Sequence, residues 1–196
     1  MHLSILIPTI ETRRTQCELL MQFLISQYEN MGLILGSDIE ILVARDNKEI
    51  SIGAKRQLLL EMAKGEYIVF IDDDDWVSDD YIRQIYRRLI VLKPDTIGFN
   101  IECSGTKGKT AQVSNTYDDW ADNVNGFDYV RTPYQKSPIK REIALQIGYK
   151  DMRFAEDYDY SKRLKQSGLI KSEVLIHKTL YFYRYKWEDP KSKYGG

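Results

Sequence analysis

Tyr67-Ile-Val-Phe-Ile-Asp72-Asp-Asp-Asp75-Trp76 decides how this chain is built, because five apolar or β-favouring residues run straight into four consecutive carboxylates. Such a continuous run reads as a strand buried on both faces of a parallel sheet, and open α/β sheets place ligands beyond the carboxyl ends of those strands. Adjacent carboxylates repel one another and need solvent or a cation to offset their charge. Hard cations such as Mg²⁺ and Mn²⁺ take oxygen ligands, and Mg²⁺ commonly combines one or two carboxylates with substrate phosphates. The competing reading is structural: Ser78 or Asp79 caps a helix starting near Asp80, and the acidic run merely favours its dipole.

Outward from that strand, the first hundred residues alternate strand and helix. Leu3 to Ile7 is a β-rich run stopped by Pro8. Thr12 caps a helix with apolar positions at Leu19, Leu20, Phe23 and Leu24, closed by Gly32 and Gly36. Ile39 to Val43 forms a second strand ending at Arg45-Asp46-Asn47, and a helix from Ile52 to Ala63 ends at Lys64-Gly65. A helix over Asp79 to Leu92, ended by Lys93-Pro94, leads to a strand over Thr96 to Cys103. This βαβαβ order implies a parallel sheet.

Beyond it, Ser104 to Asn125 turns polar, which predicts a loop or ribbon over the site. Arg141 to Ile147 and Glu156 to Lys165 read as helices closed by Gly148 and Gly168, Thr179 to Tyr185 as a late strand, and Asp189 to Gly196 as a loose tail.

At 196 residues, with 43% hydrophobic and 29% charged side chains, the chain has the composition of one globular domain with a substantial core. No apolar run approaches the roughly 20 residues that span a bilayer. The N-terminus has neither the basic region nor the cleavage site of a signal peptide, so the expectation is a cytoplasmic location, free or peripheral at a membrane, in a host's cytoplasm if the source is viral. Cys17 and Cys103 have no CxxC spacing, which indicates neither a disulfide framework nor a zinc site. A net charge of −1 gives no global reason to bind nucleic acid.

Four stretches in order resemble the inverting glycosyltransferases of family 2: Ser4-Ile-Leu-Ile-Pro8-Thr9, Gly53-Ala-Lys-Arg56-Gln57, the strand ending in Asp72-Asp-Asp74-Asp75, and Phe154-Ala-Glu156-Asp157-Tyr158-Asp159. The resemblance implies the GT-A fold, a Rossmann-like α/β domain with a mostly parallel central sheet flanked by helices. Residues 1–103 would be its nucleotide-sugar-binding half and residues 104–196 its acceptor-binding and catalytic half. It implies a nucleotide-diphospho-sugar donor, with UDP the family-weighted choice, a hydroxyl acceptor, and Mn²⁺ or Mg²⁺ as cofactor.

The same resemblance distributes the roles. Asp72 and Asp74 stand where the family's Asp-x-Asp carboxylates contact the ribose and the metal, with Asp73 between them and Asp75 as a further metal neighbour. Pro8, Thr9, Glu11 and Asp46 match positions around the nucleoside; for Asp46 a plain turn role before Asn47 stays open. Arg56 matches an arginine that approaches the nucleotide, where it can fork onto phosphate, or equally form an ion pair. Asp157 matches the base that activates the acceptor hydroxyl, and Glu156 the residue that binds or orients the acceptor. Two acids in a first helical turn also suit the helix dipole by themselves.

The sequence departs from the family at its end. Relatives carry Tyr-Arg-x-His, and here Lys186 follows Tyr183-Arg184-Tyr185. A protonated lysine does not ligate a hard cation, but its ammonium can pair with a diphosphate. His177, read as preceding the late strand, is a weaker metal candidate, and Tyr181, Tyr183, Tyr185 and Trp187 suit either sugar stacking or core packing. The cationic tract Arg131 to Arg141, with Tyr134, suits an anionic acceptor or a solvated loop. A glycan hydroxyl is the leading acceptor, and a modified base in DNA the other. The rivals are a non-catalytic nucleotide-sugar-binding module and a nucleotidyltransferase, whose Gly-rich first loop is missing from Pro8 to Arg14.

Overall fold

The computed structural model describes residues 1–103 and 108–184. The two strands that flank the future site obey strict alternation. Along β1 (Leu3–Ile10), Leu3, Ile5 and Ile7 point into one apolar cluster while Leu6 points into another. Along β3 (Tyr67–Phe70), Tyr67 and Val69 face the first cluster, Ile68 and Phe70 the second. Side chains that alternate across a pleat, all apolar, require a layer of helices on each face. The first face is covered by α1 (Arg14–Glu29), which follows a 3₁₀ turn at Glu11–Arg13, and by α3 (Tyr81–Leu92). The second is covered by α2 (Ile52–Met62), α4 (Arg141–Ile147) and α5 (Glu156–Ser167).

The described strands form one sheet. β2 (Ile39–Asp46) and β3 flank β1, both parallel to it. β5 (Thr96–Cys103) runs parallel to β10 (Glu173–Tyr183), and these ladders and that of β1 with β2 are the longest in the sheet. The sheet is thus the mixed, largely parallel α/β layer expected. Its short antiparallel pieces are β4 (Trp76–Val77) on β10, β6 (Lys109–Val113) on β5, β7 (Ala121–Val124) on β8 (Phe127–Arg131), and β9 (Ile139–Lys140) on β3.

Several sequence expectations change. The cationic tract is neither a solvated loop nor a basic face: Arg131 through Ile139 are buried, and Gln135 to Arg141 is threaded between β3 and β5. Phe70 N–H donates to Gln135 O at 2.9 Å and Ile97 N–H to Pro138 O at 3.0 Å, so this segment satisfies backbone groups of both strands. The polar stretch before Asn125 is a ribbon, as expected, turned at Asn125-Gly126 with φ of 53° and 82°, the left-handed pair of a type I′ hairpin. β10 begins at Glu173 and contains His177, whose predicted place was ahead of the strand; register shifts after Ile176 and Thr179 had broken the period-2 signal.

Helix ends also differ. Thr12 falls in the 3₁₀ turn, and α2 is capped by Ser51, whose Oγ accepts from Ala54 N–H at 3.0 Å. Gly65 is needed for space rather than as a left-handed cap, because a Cβ there would lie 2.6 Å from Ser4 N. β4 separates the acidic run from α3, which rules out the reading of that run as helix-dipole dressing. No described helix is long and apolar enough to cross a membrane.

Candidate active site

Each acidic side chain beyond β3 has a different environment, and the differences assign different tasks. Asp75 is buried and fully engaged: it accepts from Tyr181 Oη at 2.7 Å and Arg184 N–H at 2.9 Å, and it pairs with Lys136 Nζ. It anchors β10 to the acidic turn, and these partners occupy both of its oxygens. Asp73, also buried, accepts from Thr9 Oγ1 at 2.6 Å and Arg13 Nη1 at 3.0 Å, which ties the end of β1 to the acidic turn.

Asp72 meets Arg56 Nη2 at 2.8 Å and Lys136 Nζ at 3.4 Å. Burial alone would push its carboxyl up, but the two cations hold it below the ordinary range. Lys136 lies against the rings of Tyr181 and Tyr183, 4.3 and 4.1 Å from their centroids. Burial works against its ammonium, yet Asp75 and Asp72 raise its pKa.

Asp74 is the half-exposed member, with 46% of its side chain accessible, and its described ion pair is with Arg13 Nη1 at 2.9 Å. Partial burial and then the neighbouring charges of Asp72 and Asp75 push its pKa up to about 6, against Arg13. A carboxylate that is crowded by like charge and open to solvent favours an added cation. Among the described residues no three His, Cys, Asp or Glu side chains converge on a point. A hard cation here would have Asp74 as its protein ligand and would take its other oxygens from a bound ligand and water.

The raised pKa carries a stability consequence. An acid whose folded pKa exceeds its unfolded value binds more protons when folded, so stability falls as pH rises from about 4 to about 6. At pH 7 without metal, Asp74→Asn is expected to stabilise the protein by about 1 kcal/mol, discounted for exposure, or about 2–4 °C in Tm. A pH series of thermal melts checks this: the gain should vanish near pH 4, and Mn²⁺ with a nucleotide should stabilise wild type more than the variant. An equal gain at pH 4 and 7 would contradict the assignment.

Arg56 rises from α2 beneath the site. Its Nη2 pairs with Asp72 and its Nε with Glu156 Oε1 at 3.1 Å, and its guanidinium lies 5.2 Å from the Phe70 centroid. Desolvation opposes the charge, but Asp72 and Glu156 raise its pKa further. Arg56 is thus a buried clamp, with Nη1 alone lacking a partner. Gly53, three residues earlier, lets α2 approach the loop before α5: a Cβ would meet Lys150 O at 2.0 Å.

Glu156 and Asp157 open α5 directly after Ala155, a left-handed residue at φ 57°. A non-glycine residue there stores on the order of 1 kcal/mol of strain, offset by the contacts it aims. Glu156 turns inward to Arg56; burial raises its pKa, which Arg56 opposes and Asp157 reinforces. Asp157 turns the other way and accepts from Arg131 Nη1 at 3.4 Å.

Two cavities result. A cleft of about 270 Å³ is lined by Pro8, Thr9, Arg13, Lys55 and Arg56 with Asp72, Asp73 and Asp74. A second, of about 280 Å³, is lined by Trp120, Arg131, Gln135 and Asp157. Asp72 and Tyr183 belong to both walls. Of the sequence candidates, Glu156 lies behind this surface on Arg56. Glu11 lies beside the cleft, near Arg14 and Arg45 at 3.7 and 3.9 Å. Asp46 is bound to Lys55 Nζ and accepts from Ile50 N–H at 3.0 Å; burial would raise its pKa, but those partners lower it. Lys186, Tyr185 and Trp187 lie outside the described residues.

Sequence reading missed Arg13, Lys55, Lys136 and Trp120. Lys55 Nζ also donates to Thr9 O at 2.7 Å, fixing the end of β1. Arg13 carried a weak signal, a cation just past a strand end; Lys136 carried none of its own, because its carboxylate partners Asp72 and Asp75 are more than sixty residues away in the chain.

The comparisons with known proteins agree with this geometry. The chain is 26% identical over 152 residues to the glycosyltransferase GlyA of Streptococcus pneumoniae, a match covering 71% of this chain and 22% of GlyA. It is 50% identical over 151 residues to EpsH of Bacillus subtilis, a protein named as a glycosyltransferase, covering 68% of this chain and 41% of EpsH. It thus spans less than half the length of these curated relatives. Residues 1–349 of S. aureus TarS, crystallised with UDP-GlcNAc, superpose with a TM-score of 0.64 at 13% identity, over 97% of this chain and 60% of that one. This likeness shows the GT-A fold. The family model for glycosyl transferase family 2 matches residues 23–155, from the middle of α1 to the left-handed turn before Asp157. With the four motifs now gathered around two adjoining cavities, the chain belongs to glycosyl transferase family 2.

Proposed function

We propose that this domain transfers a sugar from a nucleotide-diphospho-sugar, UDP-linked as in the TarS complex, to a hydroxyl acceptor, with inversion and with the help of a divalent cation. The observation that carries this reading is the wall shared by the two cavities: Asp74 opens onto one, Asp157 onto the other, and Asp72 and Tyr183 belong to both. The nucleotide occupies the cleft between β1 and the acidic turn. The acceptor hydroxyl enters the cavity beside Asp157.

Asp157 takes the hydroxyl proton as the oxygen bonds to the anomeric carbon, and the bond from that carbon to the diphosphate breaks with its electrons leaving on the nucleotide. Displacement from the opposite face inverts the anomeric centre. Asp74 would hold Mn²⁺ or Mg²⁺, which when bound supplies charge to neutralise the departing diphosphate. Arg13 and Lys55 line the same cleft and add positive charge to it. Arg56 keeps Asp72 and Glu156 in place, so both cavities retain one geometry. In this reading residues 1–103 provide the donor side and residues 108–184 most of the acceptor side.

The test is a thermal-shift series with UDP-GlcNAc, UDP-glucose, GDP-mannose and dTDP-glucose, each with and without Mn²⁺, followed by detection of the released nucleotide. One nucleotide class at 100 times Kd should stabilise by about 2.7 kcal/mol, or about 5–10 °C, more with Mn²⁺ than without. If no nucleotide sugar shifts the melt and none is hydrolysed, the reading fails.

A further inference from the structure

Building on the glycosyl-transfer reading, we propose that the cavity beside Asp157 binds its acceptor as an uncharged sugar ring stacked on Trp120. Trp120 lines that cavity together with Asp157, and it leaves 44% of its surface open. The indole is not loose. One face lies on Tyr129, with centroids 4.1 Å apart and planes 6° from parallel, and its Nε1–H donates to Asp122 Oδ1 at 3.0 Å. A ring held against Tyr129 and at one edge, with the Arg131 guanidinium 5.8 Å from its centroid, has little rotamer entropy left to lose when its exposed surface is covered. Flat aromatic surface of this kind complements the C–H faces of a pyranose.

The polar groups around the ring ask for hydroxyls. Gln135 Oε1 and Arg131 Nε are buried in residues that line the cavity, and neither has a hydrogen-bond partner. One accepts and the other donates, and a sugar hydroxyl can do both. The remaining requirement, a hydroxyl directed at Asp157, is the one the transfer reaction imposes.

Charge selects against an anionic acceptor. Asp118, Asp119 and Asp122 flank Trp120 in the chain, and Asp72 and Asp157 lie in the cavity wall. The cations nearby are already engaged: Arg131 with Asp157, Lys136 with Asp72 and Asp75, and Lys165 with Asp118 at 3.3 Å. Nucleobases also stack on tryptophan, but nucleic acid brings phosphates that require available lysine or arginine. An uncharged glycoside meets the aromatic face and the hydroxyl partners without that penalty.

The test titrates the UDP-saturated protein with methyl β-glycosides of glucose, galactose and N-acetylglucosamine, with methyl glucuronide, and with a thymidine oligonucleotide, following the Trp120 indole N–H signal by NMR. At least one neutral glycoside should shift that signal, more tightly than either anionic probe. Trp120→Ala should weaken that glycoside about 3- to 10-fold and Trp120→Phe should restore most of it, while UDP-GlcNAc affinity stays within about twofold of wild type.

The proposal is overturned if no neutral glycoside binds up to its solubility limit, or if the glucuronide or oligonucleotide binds as tightly. It is also overturned if Trp120→Ala weakens UDP-GlcNAc but not UDP, which would give the ring to the donor's sugar. Failure of every nucleotide sugar to bind wild type would instead count against the transferase reading. Because the indole signal is read in wild-type protein, a variant that does not fold leaves the decision intact.

Discussion

Asp157→Asn should reduce nucleotide release from a bound donor sugar by about 10²–10⁴-fold, the span expected for loss of a general base. Donor affinity should hardly change, because Asp157 lines the second cavity and not the nucleotide cleft. Stability should fall by less than about 1 kcal/mol, since the pair with Arg131 is long, at 3.4 Å, and 30% of the Asp157 side chain is accessible. The measurement is release of UDP from UDP-GlcNAc, with water or a sugar hydroxyl as acceptor, beside a thermal melt of the same sample. A rate within about threefold of wild type would move the base elsewhere, since positioning alone does not replace a missing proton acceptor. Glu156→Gln separates the two neighbouring acids. Glu156 is turned inward to Arg56, so its replacement should appear in the melt before it appears in catalysis.

The second large effect is on folding. Arg56→Met should destabilise the domain by about 3–5 kcal/mol, because it leaves the buried carboxylate of Glu156 without its cation and Asp72 with Lys136 alone. For a domain of this size that is a loss of about 6–20 °C in Tm. Arg56→Lys should fall between wild type and Met: one ammonium retains the charge but cannot fork to two carboxylates on different elements. Chemical denaturation with a constant slope would place the loss in stability rather than in a changed unfolded state. A shift below about 2 °C for Arg56→Met would mean the two carboxylates find other partners or take up protons, and the clamp would be incidental. The double variant Arg56→Met with Asp72→Asn should recover part of the loss by removing one stranded charge.

These two residues also show what a reader of the sequence can and cannot see. The place of Asp157 at the start of α5 was legible because it sits in a short motif that resembles the family's, closed by a glycine C-cap. The strand at Tyr67, the acidic turn and the alternating order of the first hundred residues were legible for the same reason: local period and local chemistry agreed. Arg56 was visible as a residue but not as a clamp, since its partners lie 16 and 100 positions away. Lys136 was read in a tract of surface cations, yet it lies buried between Asp72, Asp75 and two tyrosines. Nothing periodic marks a two-residue strand such as Ile139–Lys140, so the threading of its segment through the sheet left no local trace. The Asn125-Gly126 hairpin, by contrast, did leave one: that dipeptide marks where the expected loop or ribbon turns, just after Trp120.

That threading bears on how the chain is made. The edge of β3 that faces β5 is covered by residues from Gln135 onward, so the entirely buried run Tyr67–Phe70 emerges from the ribosome long before its cover exists. At about 5–20 residues per second, the interval between synthesis of Phe70 and Ile139 is on the order of 3–14 s. Through that time the apolar strand lacks its cover on that edge, beside Asp75, whose buried counter-charge at Lys136 has not yet been translated. Negative charge at Asp75 next to a bare edge disfavours pairing between copies, as a gatekeeper residue does, and it is neutralised when Lys136 closes the sheet.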